Sequence, residues 1–214
     1  FVNIDVLPYA DIVCSSLTKI FSGDSNVIAG SLVLNPQTKL YDFAKRFLIE
    51  DKEYEDCLWC EDALYLERNS RDFVARTIKV NQNTEYLLNK TLVPQEGKLI
   101  KKIYYPSLTS EDTKRNFDKV KCKTQGGYGG LFSMTFFDEA KARTFFNCLK
   151  LCKGPSLGTN FTLACPYAIL AHYQELEEVA KYGVESNLVR VSVGLENKEE
   201  LCKVFQDAVD KTLV

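Results

Sequence analysis

The sequence contains few of the residues on which several classes of functional site depend. It has one histidine, one methionine and one tryptophan among 214 residues, and its formal net charge is −2. A single histidine, His172, cannot supply the several imidazole ligands of a histidine-rich zinc centre. The small negative charge indicates no overall basic surface for nucleic acid. No apolar run approaches the ~20 residues of a membrane-spanning helix, so we expect no membrane span.

Cysteine is more frequent, with eight residues spread along the chain. In a chain of this length such a scatter is not a disulfide scaffold, and we expect free thiols in a reducing, cytoplasmic compartment. Cys57 and Cys60 form a CxxC pair, but no second pair completes a zinc site, so we expect no bound metal. His172 is expected to pack or to cap a helix. A cysteine–histidine nucleophilic pair stays open, although nothing in the sequence places a cysteine beside His172.

A lysine follows a strand-like segment near the start of the chain. Residues 10–14 are mainly apolar, and residues 15–19 then read Ser-Ser-Leu-Thr-Lys. A lysine at the end of a buried strand is costly unless it has a role, which makes Lys19 a candidate nucleophile. Ser16 and Thr18 alternate along the same strand edge, so we expect both hydroxyls to face one phosphate group. A surface lysine beside ordinary strand hydroxyls is the alternative.

Residues 188–195 form a second informative segment, with the alternation of a strand. Its valines point to one face, and Arg190 and Ser192 point to the other, where Arg190 can line a cleft. A guanidinium there can grip a carboxylate through two hydrogen bonds. A lysine that holds an aldehyde as a Schiff base and a distant arginine together suit amino-acid chemistry on pyridoxal phosphate. A plain salt-bridge arginine is the alternative.

Hydrophobic periodicity along the chain predicts an α/β protein. We expect short buried strands at 10–16 and 26–34, helices at 37–50 and 59–90, a polar irregular stretch at 91–125 around a short segment at 103–106, and strands at 129–137 and 188–195. Asp138 and Asn197 are positioned to cap the helices that follow the last two strands. The final helix is expected to bury a stripe that runs from Leu201 to Leu213.

Five ordered blocks resemble the pyridoxal-phosphate enzymes of Cys/Met metabolism, which have fold type I. They are residues 10–30 around Lys19, 104–106, 129–133, 156–158 and 190–196. The resemblance implies the end of the cofactor-binding large domain at 1–58, a long connecting helix at 59–95, and a small α/β domain with a mostly antiparallel sheet at 96–214. Because the chain opens at Phe1 within organised structure, we expect the C-terminal portion of a longer protein. Its implied partners are the missing N-terminal half and further copies of itself.

The resemblance also implies roles for particular residues. Lys19 would bind pyridoxal 5'-phosphate, Ser16 and Thr18 would hold its phosphate, Ser156 would orient the lysine and help bind substrate, and Arg190 would fix the substrate carboxylate. The implied reaction is a γ-replacement that joins cysteine to an O-acylated homoserine and forms cystathionine. A lyase, a sulfhydrylase or a non-catalytic assembly module are the alternatives, since residues such as Ser15 and Pro155 depart from the family pattern.

Overall fold

The structure is a computed structural model that describes residues 2–50 and 54–214. Phe1 and residues 51–53, which belong to the predicted segment 1–58, lie outside the described residues. The strands are β1 Ile12–Ser16, β2 Gly30–Leu34, β3 Ile100–Tyr104, β4 Leu131–Phe136, β5 Cys152–Lys153, β6 Leu163–Pro166 and β7 Val189–Ser192. The α-helices are α1 Tyr41–Glu50, α2 Cys60–Ser70, α3 Phe73–Leu87, α4 Glu111–Val120, α5 Glu139–Cys148, α6 Tyr167–His172, α7 Leu176–Ala180 and α8 Lys198–Leu213.

The first two strands form an antiparallel hairpin, with Ser16 opposite Gly30. Both strands were expected to be buried, and this expectation was wrong for the described residues. The Ile12 side chain is 39% exposed and that of Leu32 is 50% exposed. A two-stranded sheet has too few neighbours to cover both of its faces, and no further described strand extends this sheet.

The remaining strands form one five-stranded sheet in the order β3-β4-β7-β6-β5. Only the pair β5–β6 is parallel, which confirms the expected mostly antiparallel sheet. The sequence did not predict β5, β6, α6 or α7. Each of these elements has six residues or fewer, which is too short for a hydrophobic period to emerge.

The core lies between this sheet and the helices α3, α5 and α8. Alternate residues of β4 and β7 point into it, and all are at most 2% exposed: Phe132, Met134, Phe136, Val189 and Val191. Burying one side chain of this size contributes about 1.5–3 kcal/mol, so this layer is the main stabilising unit of the sheet. The alternation predicted for residues 188–195 is therefore confirmed over β7.

Both predicted helix caps are present. A side-chain oxygen of Asp138 accepts a hydrogen bond from the Lys141 backbone N–H at 3.0 Å, and Asn197 accepts from the first turn of α8. Leu201 is buried as expected, but Leu213 is 52% exposed, so the buried stripe of α8 ends earlier than predicted. Thr212 occupies the inward position in the last turn, where its hydroxyl donates to the Ala208 carbonyl at 2.7 Å.

The helix expected over 59–95 is interrupted. It breaks between α2 and α3 at residues 71 and 72. After α3 it widens into a π-helical turn over Leu88–Leu92 and then narrows into a 3-10 turn over Val93–Gln95. The irregular stretch expected at 91–125 contains β3 and α4. None of the residues of α4 is buried, so the helix carries no apolar period by which the sequence would indicate it. No helix among the described residues has the length and apolarity needed to cross a bilayer.

Candidate active site

Lys19 lies in a tight turn that follows β1. The turn is closed by hydrogen bonds from Ser22 N to Leu17 O at 3.1 Å and from Gly23 N to Lys19 O at 2.7 Å. The lysine is partly buried, and no described residue forms a hydrogen bond or ion pair with its amino group. Lys19 therefore has a backbone fixed by hydrogen bonds and an amino group that is not engaged by any described residue.

The backbone of Gly158 packs directly on this lysine. Gly158 has φ +71°, and a Cβ atom placed on it would lie 2.9 Å from the Lys19 Cβ and 2.8 Å from the Ile20 N. Real Cβ atoms do not approach that closely, so this position requires glycine. The Gly158 N–H donates to the buried Ser192 Oγ at 2.9 Å, which fixes the loop to β7.

Arg190, two residues before Ser192 on β7, forms hydrogen bonds to the same loop. Its Nη2 donates to the carbonyl oxygen of Pro155 and, at 3.4 Å, to that of Ser156. The guanidinium carbon also lies 4.6 Å from the centre of the Tyr167 ring, which is a cation–π contact. Arg190 and Ser192 thus share one face of β7, as predicted, and together they position residues 155–158.

A buried thiol lies beside Arg190 on the next strand. Cys165 of β6 is directly opposite Arg190 of β7. Burial raises the pKa of the Cys165 thiol, and the Arg190 guanidinium partly opposes that shift. Since the thiol is buried and its burial favours the neutral form, we assign Cys165 a packing role beside the arginine.

Three cavities surround the candidate residues. Lys19 lines a cavity of about 200 Å³ with Gly158 and Ser192. Thr18 and Ser156 line a second cavity of about 510 Å³, and Leu157 lines both the first and the second cavity. The second cavity has the size usual for small-molecule sites, which is roughly 300–1,000 Å³. The fold thus brings Lys19 and Arg190, which are far apart in sequence, to the loop that contains Ser156.

Ser16 and Thr18 do not share a strand edge as expected, because β1 ends at Ser16 and Thr18 lies in the turn. Ser16 lines a third cavity, of about 640 Å³, on the open face of the hairpin. The Thr18 hydroxyl accepts from the Ala29 N–H at 3.0 Å and donates to the Ala29 carbonyl at 3.3 Å. The two hydroxyls therefore line different cavities, and that of Thr18 already has both a donor and an acceptor.

Two of the resembling blocks meet next to this site. The Tyr105 hydroxyl donates to the Gly129 carbonyl at 2.9 Å, and the Tyr105 ring contacts Tyr128 edge-on. Burial raises the pKa of Tyr105 far above its usual range, so its hydroxyl stays neutral and acts as a donor. This bond positions the segment that leads into β4, in which Gly129 and Gly130 line the Lys19 cavity.

The cysteine pair and the single histidine do not form a metal site with other described residues. All eight cysteines are free, and Cys57 and Cys60 are both exposed. Within residues 2–50 and 54–214, no group of three or more His, Cys, Asp or Glu side chains is arranged to hold a metal ion. His172 pairs with Glu175 at 2.6 Å and packs edge-on against Tyr167, in keeping with a packed histidine.

Residues 5–210 match the family model described as Cys/Met metabolism PLP-dependent enzyme. The chain belongs to this family. The cystathionine gamma-synthase of Saccharomyces cerevisiae is 76% identical over 213 residues, and the protein of that name in Neurospora crassa is 49% identical over 209 residues. These alignments cover 100% and 98% of this chain but 33% and 32% of the relatives. The chain therefore spans about a third of the length of these curated relatives.

Solved structures of the family have the same fold. A cystathionine gamma synthase from Xanthomonas oryzae pv. oryzae, in complex with cystathionine, aligns with a TM-score of 0.84 at 22% identity. A cystathionine gamma-lyase from yeast aligns with a TM-score of 0.83 at 23% identity. This chain covers 53% of each, and 99% and 100% of it is aligned. The expected fold, the C-terminal portion of a fold type I PLP enzyme, is confirmed.

The residues of the site fit the cofactor of this family. A lysine whose amino group has no partner among the described residues can form a Schiff base with an aldehyde, and hydroxyl residues that can bind a phosphate line the neighbouring cavity. The adjoining cavity of about 510 Å³ has room for a small ligand. Sequence analysis proposed Lys19, Ser156 and Arg190 as site residues, but it did not predict the contact of Gly158 with the lysine. The signals for Gly158 were its place in the block 156–158 and in a Gly-Pro-Ser-Leu-Gly segment.

Proposed function

We propose that this chain is the C-terminal portion of a PLP-dependent enzyme that joins cysteine to an O-acylated homoserine and forms cystathionine. The observation that carries the proposal is the contact between Lys19 and Gly158, on a loop held by Arg190 and Ser192. The high identity to curated cystathionine gamma-synthases supports this choice within the family. The enzyme would be cytoplasmic and act in transsulfuration and methionine biosynthesis.

In this proposal Lys19 anchors pyridoxal 5'-phosphate and afterwards moves protons at the α and β carbons of the amino-acid substrate. When bound, the cofactor supplies an electron sink for the carbanion that deprotonation leaves. Ser156 orients the Lys19 amino group. Thr18 binds the phosphate, for which its hydroxyl must turn its proton away from the Ala29 carbonyl. Ser16 lines a different cavity, so its proposed phosphate contact requires the hairpin to be brought to the same group in the complete enzyme.

Arg190 would bind the substrate carboxylate. Both of its loop hydrogen bonds come from Nη2, and the guanidinium also interacts with the Cys165 thiol, which leaves it further N–H groups for a ligand. A guanidinium that is already held by two backbone carbonyls and an aromatic ring loses little freedom when it binds. The carboxylate would therefore meet a preorganised donor pair next to Ser156.

We also propose that the site is completed by the N-terminal half of the enzyme and by a second copy. The hairpin and α1 leave large apolar side chains exposed, with Phe43 and Ile49 each 71% exposed. Exposed apolar residues in such number indicate an interaction surface. The chain alone is expected to bind the cofactor weakly and to be inactive.

The experiment uses the full-length protein that contains this chain. Purified protein is tested for bound cofactor by its visible absorbance, and for cystathionine formation from cysteine and O-acetyl- or O-succinylhomoserine. Lys19→Ala should abolish both the absorbance band and turnover, whereas Lys39→Ala, an exposed lysine beyond the next strand, should change neither. Cofactor that stays covalently attached in Lys19→Ala would overturn the assignment.

A second function within the family has one observation in its favour. A relative named alanine racemase, from Aspergillus violaceofuscus, is 35% identical over 221 residues, so close relatives bear names of different activities. Pro155 and Ser15, which depart from the family pattern, are compatible with an altered substrate or with a non-catalytic assembly role. Wild-type protein that binds the cofactor but forms no cystathionine would favour another activity: racemisation of alanine would indicate a racemase, and release of ammonia from cysteine or cystathionine would indicate a lyase.

A further inference from the structure

Arg76 of α3 is a buried arginine with every N–H group bonded. Its side chain is 8% exposed. The guanidinium donates to five oxygens: Asp72 Oδ1 at 2.8 Å, Ile20 O and Asn160 Oδ1 at 3.0 Å, Phe21 O at 2.9 Å and Asn69 O at 2.6 Å. An arginine has five N–H donors, so its capacity is filled.

Two of these bonds act on the turn that carries the candidate nucleophile. Ile20 and Phe21 follow Lys19 directly, and the Lys19 carbonyl is held from the other end of the turn by the Gly23 N–H. The guanidinium thus fixes the peptide groups immediately after Lys19. The direction of the lysine side chain depends on those peptide groups, since no described residue bonds its amino group.

The bond to Asn160 connects this turn to the loop on the other side of the lysine, whereas the bonds to Asp72 and Asn69 stay at the junction of α2 and α3. Gly23 has φ +80°, and a Cβ placed on it would lie 2.4 Å from both Arg76 Nη1 and Asn160 Oδ1. The Asn160 N–H donates to the Gly23 carbonyl at 2.9 Å, and the Asn160 carbonyl accepts from Leu195 N at 2.9 Å. Arg76 therefore lies where the lysine turn, the loop that follows Gly158 and the end of β7 meet.

We propose that Arg76 is a positioning residue that sets the orientation of Lys19 relative to the loop of residues 156–160. The proposal rests on the proposed function of Lys19 as the cofactor lysine. A lysine at position 76 would keep the charge, but its single ammonium has three donors and no planar fork. It would leave at least two of the five oxygens without their partner, so the turn after Lys19 would lose its fixed geometry.

The test compares Arg76→Lys with wild type in the full-length protein. Protein without cofactor is mixed with pyridoxal 5'-phosphate and reduced with borohydride at timed intervals, and mass spectrometry of the Lys19 peptide gives the rate of capture. We expect capture to be about tenfold slower in Arg76→Lys, at a temperature where circular dichroism shows both proteins fully folded. Loss of stability alone would lower the melting temperature and leave the capture rate of the folded protein unchanged.

Arg71→Lys is the matched control. Arg71 pairs with Glu67 at 3.0 Å, four residues away, as Arg76 pairs with Asp72, but its side chain is 70% exposed. Its capture rate should equal that of wild type. If Arg76→Lys does not fold, Asn160→Ala removes one acceptor and leaves Arg76 in place, and we expect capture to be about threefold slower.

The outcomes distinguish a failure of the positioning role of Arg76 from a failure of the proposed function of Lys19. An unchanged capture rate in a folded Arg76→Lys, or in Asn160→Ala if that variant is needed, would overturn the positioning role. Wild-type protein in which the cofactor is captured at another lysine would overturn the proposed function of Lys19 itself. Slow capture in Arg76→Lys with wild-type capture in Arg71→Lys would support both proposals.

Discussion

Replacing Arg190 by lysine tests the proposed substrate contact most directly. In the structure Nη2 of the guanidinium donates hydrogen bonds to the Pro155 and Ser156 carbonyls, and the guanidinium makes a cation–π contact with the Tyr167 ring. A lysine ammonium keeps the positive charge but cannot hold the loop and also present two parallel N–H groups to a carboxylate. Arg190→Lys should therefore lose at least one charge-assisted hydrogen bond to the substrate.

The expected size of the effect follows from the energy of that bond. A hydrogen bond to a charged group contributes about 1.5–3 kcal/mol. At 1.4 kcal/mol for each factor of ten, its loss weakens substrate binding about ten- to hundredfold. The carboxylate does not react, so it is gripped equally in the ground state and the transition state. The loss should appear mainly in KM, with kcat little changed.

The assay is steady-state kinetics of the full-length protein, with the visible absorbance of bound cofactor recorded on the same sample. Arg143→Lys serves as the control, since Arg143 is 72% exposed and pairs only with Glu139, at 3.4 Å. We expect Arg190→Lys to keep its colour and to bind amino acids poorly, and Arg143→Lys to behave as wild type. A KM within twofold of wild type, or a loss of colour in Arg190→Lys, would refute the substrate role.

Three further predictions concern the frame around the site. Gly158→Ala should destabilise the protein by more than Gly183→Ala in urea unfolding: both need a positive φ, which costs alanine about 1–2 kcal/mol, but only at Gly158 would the Cβ collide with Lys19. Equal losses of stability in the two variants would show that Lys19 moves aside at little cost. Ser192→Ala leaves the Gly158 N–H without its acceptor and should cost about 1–3 kcal/mol, and an unchanged stability would contradict that role. Asp138→Ala should cost about 1 kcal/mol through the lost helix cap, and no loss would show that water replaces the cap.

Sequence alone predicted the parts of this protein that depend on local pattern. The alternation of β7 and the caps at Asp138 and Asn197 are confirmed. These features follow from side-chain spacing and from groups within four residues of one another, which the sequence displays directly. The ordered blocks around Lys19 and Arg190 likewise predicted the family, which the family model confirms.

The tertiary structure decided what depends on distant parts of the chain. An arginine side chain is normally exposed, but the guanidinium of Arg76 is buried because carbonyls and an amide more than fifty residues away in the sequence supply acceptors for it. The contact of Gly158 with Lys19 joins residues 139 positions apart, and no local pattern encodes it. The apolar hairpin strands looked buried in sequence, but burial depends on which elements lie over them, and a strand's own residues do not specify those neighbours.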